Sequence, residues 1–149
     1  MDTTPPIWFG DRTPDLAALN AACLGNLQGH LGIAFTAVGA DWLRASMPVD
    51  QRTHQPFGRL HGGASVALAE TVGSVAANAC IDPAQSVAVG MEINANHIRP
   101  AYDGFVHATA RPEAVGRTTH VWSIRIEDNA GRLVCISRFT VAVIAIARK

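Results

Sequence analysis

The sequence predicts an α+β domain, an antiparallel sheet wrapped around one long central helix. Three observations carry this. Residues 61–80 form a helical stretch with no Lys or Arg and with Glu70 as its one acidic side chain. Four strand patterns follow it, joined by short turns that favour antiparallel neighbours. Two further strand patterns precede it. The 149 residues match one ordinary domain, so residues 1–149 are expected to fold as a single unit.

Residues 1–13 read as a loose amino-terminal arm, with Trp8 and Phe9 as anchors. Thr13 followed by Pro14 is a helix-start signal, a capping hydroxyl before proline at the first helical position. A short helix over 14–24 is expected, with Leu16 and Leu19 on one face, before Gly25, Gly29 and Gly32 interrupt it. The period then changes to two. Residues 31–38 read as a strand and 39–41 as a turn. Over 42–48, Leu43, Ala45 and Met47 alternate with Trp42, Arg44 and Ser46, the pattern of a half-buried strand. Residues 49–60 are polar, contain Pro56 and Gly58, and read as a loop.

The 61–80 helix would be about 30 Å long. It is apolar nearly all round, which implies enclosure. Its Ala and Gly residues let a large neighbour, most simply a sheet, come close. In the next strand Val87, Val89, Met91 and Ile93 alternate with Ala88, Gly90, Glu92 and Asn94. A strand over 104–114 follows the turn at 102–104. A third has Trp122, Ile124 and Ile126 opposite Ser123, Arg125 and Glu127. Asp128-Asn129-Ala130-Gly131 is a hairpin turn, and the last strand runs over 133–146.

Lys plus Arg and Asp plus Glu number 12 each. That balance excludes a broad positive field for nucleic acid or an anionic membrane. Charged residues are 16% of the chain, below the roughly 25% typical of soluble domains, so subunit contacts are expected to cover part of the surface. Cys23, Cys80 and Cys135 are far apart, with no C-x-x-C pair, and fit unpaired thiols in a reducing compartment. No basic-then-apolar leader opens the chain. The longest weakly charged stretch, 60–81, holds His61, Ser65, Glu70, Thr71, Ser74 and Asn78, too polar for a membrane span. The expected location is the cytoplasm. Six histidines form no H-x-x-x-H pair, and no G-x-S-x-G elbow or P-loop occurs. No metal and no cofactor are expected.

Chemistry concentrates on the long helix. An unpaired buried carboxylate is costly, so Glu70 should be paired or have a raised pKa. A solvated helical Glu is the bland alternative; the flanking Val66, Ala67, Leu68, Ala69 and Val72 argue against it. Ser74, four residues on, shares its face. Together a carboxylate and a hydroxyl can hold a water for attack. His61-Gly62-Gly63 stands where the helix begins, and its free amides can polarise a carbonyl and stabilise an oxyanion. Glu70 and the Gly62 amide are about 12 Å apart along the axis, too far to act on one atom in one chain. A second subunit could close that gap. Arg99 and Arg117 lie at strand edges, where a cation can meet a phosphate or stay solvated.

The run from Gln51 to Ser65, QRTHQPFGRLHGGAS, followed by Ala69-Glu70-Thr71, resembles the hotdog-fold acyl-CoA thioesterases. Within them it is similar to the bacterial branch that includes the Arthrobacter-type 4-hydroxybenzoyl-CoA, enterobactin proofreading and 1,4-dihydroxy-2-naphthoyl-CoA thioesterases. Leu31-Gly32-Ile33, Met47-Pro48-Val49-Asp50, Asn94-Ala95-Asn96-His97 and Arg99-Pro100 also fit, so the resemblance covers about residues 25–145. It implies a hotdog fold and a homo-oligomer, a dimer of dimers, with sites at the dimer interface. It implies hydrolysis of an acyl- or aroyl-CoA, or of an acyl-carrier thioester. By motif position Glu70 would be the catalytic carboxylate, as base or as nucleophile. Gly62 would polarise the carbonyl, Gln55 and His61 would orient the substrate, and Ser74 would place water. Coenzyme A, as part of the substrate, would touch Val89, Asn96, His97, Ile98, Arg99, Glu113, Ala114, Val115, Gly116, Arg117 and Thr118. The rivals are an acyl-thioester hydratase or dehydratase on the same fold and a non-catalytic acyl-CoA binder.

Overall fold

The computed structural model describes residues 5–147. Residues 1–4 of the expected arm lie outside the described residues, and the rest of the arm is docked. Trp8 is buried, and its indole donates to the Gly39 carbonyl at 2.9 Å while the Ile7 amide donates to Ala40. Phe9 opens a single 3-10 turn, Phe9–Asp11, and stays exposed.

Helix α1, Leu16–Ala22, begins two residues later than the Thr13-Pro14 signal suggests. Asp15 is the cap: its Oδ1 accepts from the Ala17 amide at 2.9 Å. Aspartate caps as well as a hydroxyl does, and it stands nearer the apolar run. A one-turn helix α2, Leu27–His30, capped by Asn26, follows where only a glycine-broken loop was expected. Four residues are too few to show a period. Strand β1, Ala34–Val38, is fastened to α1 by Asn20, which donates to the Phe35 carbonyl and accepts from its amide. Strand β2 is Leu43–Pro48.

The long helix α3, Gly62–Ala79, matches the expectation, with His61 and Cys80 as its caps. Strands β3 (Ser86–His97), β4 (Phe105–Val115), β5 (Thr119–Asp128) and β6 (Leu133–Ala145) follow. All six strands form one antiparallel sheet in the order β1-β2-β4-β5-β6-β3. β3 is therefore not beside β4, its successor. Residues 98–104 carry the chain from the β3 edge back to β4, pinned on the way by the Ile98 and Arg99 amides donating to the Val134 carbonyl.

α3 packs across β2, β3, β4, β5 and β6. Leu68, Ala69, Val72 and Ala76 are fully buried with Leu43, Met47, Trp122 and Ile124. Each such leucine, valine, isoleucine or methionine side chain contributes about 1.5–3 kcal/mol by leaving water. The small residues do what their size suggests: a methyl built on Gly73 would lie 2.7 Å from Phe139 Cδ1. Enclosure, however, is one-sided. Val66, Ala67, Glu70, Thr71, Ser74 and Val75 are only half-buried, because the sheet covers one face of the rod.

Candidate active site

The loop before α3 is a scaffold of local bonds. Thr53 Oγ1 donates to the Pro48 carbonyl at 2.7 Å and accepts from the Asp50 amide. The Arg52 guanidinium, bonded to Asp50, holds that carboxyl down to about 2. The chain then folds back on itself: the Gln55 amide donates to the Arg59 carbonyl and Gly58 takes φ +74 for the reversal. The Phe57 amide donates to Gln55 Oε1, which occupies the carbonyl end of that side chain and leaves its NH₂ group without an acceptor among the described residues. The His61 amide donates to the Thr53 carbonyl, delivering the chain to the helix.

At the α3 start the first four amides do not fare alike. Gly63 donates to His61 Nδ1 at 2.8 Å. Ala64 and Ser65 turn back to the His61 carbonyl. Gly62 finds no acceptor among the described residues, and it lies on the positive end of the helix dipole. Because His61 Nδ1 accepts, its proton sits on Nε2, a donor pointing elsewhere.

The crossover after β3 meets this helix tip. Gln55, Gly62, His97, Ile98 and Arg99 line one cleft of about 310 Å³. A methyl on Gly62 would lie 2.8 Å from His97 Nε2, so the ring rests directly on the glycine. Sequence reasoning missed Arg59, Ser65 and Val134, which line the same cleft. Arg59 stood inside the quoted motif, and Val134 is brought there by topology alone.

Glu70 is elsewhere, as its spacing from Gly62 requires. It is half-buried, makes no ion pair or hydrogen bond among the described residues, and lies against β3. Of the two expected ways of accommodating this carboxylate, pairing is not seen among the described residues. A methyl on Gly90 would lie 2.8 Å from Glu70 Oε1 and 2.9 Å from Phe139 Cζ. Gly90 was another missed residue, although a glycine inside a strand signals a bulge or a close approach. Here it is both, with a bulge between Gly90 and Glu92. Ser74 is half-buried one turn on, its hydroxyl without a partner among the described residues.

The other expected contacts are dispersed. Val89 is exposed on β3. Asn96 and Glu113 share a separate groove with Ser123 and Arg138 on the sheet face away from α3. Ala114 and Val115 end β4, and Gly116, Arg117 and Thr118 make an exposed turn. That turn is level with Gly90: Val115 pairs with His120, His120 with Val141, and Val141 with Gly90. His97 is at the opposite end of β3, so one chain does not bring this turn to the Gly62 cleft.

The family model of the Thioesterase superfamily matches residues 57–135, which include Gly62, Glu70, Gly90 and His97. The chain is 52% identical over 138 residues to the 1,4-dihydroxy-2-naphthoyl-CoA hydrolase of Escherichia coli K12, covering 93% of this chain and 99% of that one. It is 50% identical over 137 residues to the proofreading thioesterase EntH of Cronobacter turicensis, covering 92% and 98%. A crystal structure of a mutant of thioesterase PA1618 from Pseudomonas aeruginosa superposes with a TM-score of 0.91 at 51% identity, covering 94% of this chain and 99% of that one. A sheet curved over one long helix, a free helix-tip amide and an unpaired carboxylate beside an edge strand thus sit in a chain that belongs to the Thioesterase superfamily.

Proposed function

We propose that this protein hydrolyses an acyl or aroyl thioester of coenzyme A or of an acyl carrier, using Glu70 of one protomer and Gly62 of a second. The observation that carries this reading is the β3 edge. Asn78 of α3 bonds both the amide and the carbonyl of Ala88, which closes the edge at that point. From Gly90 to His97 the outer edge of β3 has no neighbouring strand. An open edge of this length is a template for another strand. Two copies paired antiparallel over 90–97 have their two-fold axis between Ile93 and Asn94, which lays Gly90 opposite the partner's His97. Glu70, against Gly90, then faces the partner's Gly62, which lies against the partner's His97. This closes the 12 Å gap that separates the two groups in one chain, and it gives two equivalent sites.

In each site the Gly62 amide, with the Gln55 NH₂ nearby, polarises the thioester carbonyl. Glu70 takes a proton from a water held with Ser74. The water oxygen bonds to the carbonyl carbon, the C–S bond breaks, and the thiolate leaves and is protonated. Direct attack by Glu70, through an anhydride that water then opens, is the alternative route. Arg59 and Arg99 at the cleft mouth supply charge for the phosphates of the leaving thiol. A dimer of dimers is the expected assembly, and the cytoplasm the expected location. No described helix is long and apolar enough to cross a membrane.

Subunit complementation is the test. Glu70→Ala should lower kcat by at least about 10²-fold. Mixed and re-associated with a Gly62→Pro variant, it should recover activity that neither has alone, because one site of each hybrid carries both native groups. No recovery in verified hybrids would place both groups in one chain and sink the composite site. Near-normal turnover by the Glu70 variant alone would sink its catalytic role. A single turnover in labelled water, followed by mass analysis of Glu70, separates the two chemical routes.

A further inference from the structure

Ser65 lines the Gly62 cleft, yet it is only 2% exposed. A side-chain hydroxyl buried to that degree ordinarily has a hydrogen-bond partner. Ser65 has none among the described residues, and the local bonds explain why. Further along the same helix, the Thr71 hydroxyl turns back to the Ala67 carbonyl at 2.7 Å. The equivalent acceptor for Ser65 is the His61 carbonyl. That oxygen already receives the Ala64 and Ser65 amides, at 3.0 and 3.2 Å, which engages both of its lone pairs. His61 Nδ1 is engaged as well, by the Gly63 amide. Among the described residues, the partnerless side-chain atoms cut off from all solvent are those of His120 and Trp122. The Ser65 hydroxyl is not one of them, so the little surface it has belongs to the cleft.

Placement decides what it can reach. Ser65 is one turn past Gly62, about 4.5 Å along the axis. Helical side chains lean towards the amino terminus, so this hydroxyl overlies the turn at Gly62. The Gly62 amide opens on the same space. Arg59, His97 and Arg99 are exposed at the mouth of the cleft, whereas Ser65 lies on its floor with the buried Ala101 and Val134. A donor on a floor shielded from water acts more strongly on a developing charge than one in solvent.

We propose that the Ser65 hydroxyl is a second donor to the thioester carbonyl oxygen, beside the Gly62 amide. The inference deepens the thioesterase reading and rests on it. As the water oxygen bonds to the carbonyl carbon, the C=O electron pair moves onto the oxygen. The amide and the hydroxyl both donate to that charge. When the C–S bond breaks the pair returns, and the Ser65 proton stays on Ser65 throughout.

Ser65→Ala tests this, because a catalytic and a structural serine predict different outcomes. Alanine is the better helix residue and removes a buried hydroxyl that has no partner. The melting temperature should therefore hold or rise. With whichever of acetyl-, octanoyl- and benzoyl-CoA the wild type turns over fastest, kcat should fall at least about tenfold, towards the roughly 10²–10³-fold that loss of a single oxyanion donor brings. KM should change little, since the bond strengthens only as charge develops. In a Gly62→Pro background the same substitution should cost less than in the wild type, because two donors to one oxygen act as a unit. An unchanged kcat, a loss confined to KM, a lower melting temperature or an equal loss in both backgrounds overturns the assignment, and hydrolysis by Glu70 and Gly62 then still stands. If the wild type releases thiol from none of the three, nor from an acyl-carrier thioester, the functional reading falls and the role of Ser65 falls with it.

Discussion

Two glycines hold the site open, each by the absence of one carbon atom. Gly62 is the first residue of α3, a position where proline is tolerated because its missing N–H has no helical partner. His61 before it has φ −69 and ψ 131, an extended conformation that suits a residue preceding proline. Gly62→Pro therefore removes the amide hydrogen and little else, since the crowded His97 ring is exposed and can swing aside. The expected result is a kcat lower by about 10²–10³-fold with a native-like circular dichroism spectrum. An unchanged kcat would remove that amide from the mechanism. Gly90→Ala acts from the other side. Its methyl meets the Glu70 carboxylate and the Phe139 ring, and Phe139 is buried and cannot give way. The carboxylate must move, and a displacement of that order costs about 10²-fold in rate. Stability should fall by about 1–3 kcal/mol from the overpacking. Thermal melting beside steady-state kinetics reads both effects.

Among the elements, α3 was the most legible from sequence, because eighteen residues without Lys or Arg leave little room for another reading. Glu70 stood out for the same reason. Where its carboxylate would rest did not, since Gly90 is twenty residues away and looks locally like any weak strand position. The partners of Asn20 and Asn78 were equally hidden. An amide that bonds backbone 10 or 15 residues distant leaves no periodic trace. The sheet order was the largest omission: strand periodicity reports which face is buried and says nothing about the neighbour, so the transfer of β3 to the far edge was unreadable. Asn78 makes its own test possible. Asn78→Ala leaves the amide and carbonyl of Ala88, a buried residue, without their bonds. The loss should be about 1–3 kcal/mol in a urea titration. An unchanged midpoint would mean that water replaces the amide at no cost.

For the whole molecule, one interior titrating group makes stability depend on acidity. His120 is buried on β5, and burial holds its pKa below 6.5, with the Gly116 backbone opposing in part. Its Nδ1 and the neighbouring Trp122 Nε1 are buried without a hydrogen-bond partner among the described residues. The fold favours the neutral ring, while the unfolded chain takes up a proton as pH drops below about 6.5. The stability this group confers is thus complete above pH 6.5 and is lost as pH falls from there towards the folded-state value. His120→Phe should flatten that acid slope in a series of melts from pH 7.5 to 5. An identical slope in wild type and variant would mean that other groups set it. Cys80, with its thiol pushed up to about 12 by burial, stays protonated across the same range and adds nothing to the slope.

The closure of the β3 edge at Ala88 reaches beyond stability. A ladder open at both ends lets an incoming chain slide by two residues and still make nearly as many bonds. A stop at one end makes the slid arrangements shorter, and so weaker, than the aligned one. In the proposed dimer, two-fold symmetry gives both composite sites whatever alignment the edge selects. A slipped pair would be silent twice over, and in the proposed dimer the Asn78 amide of each protomer guards against that error.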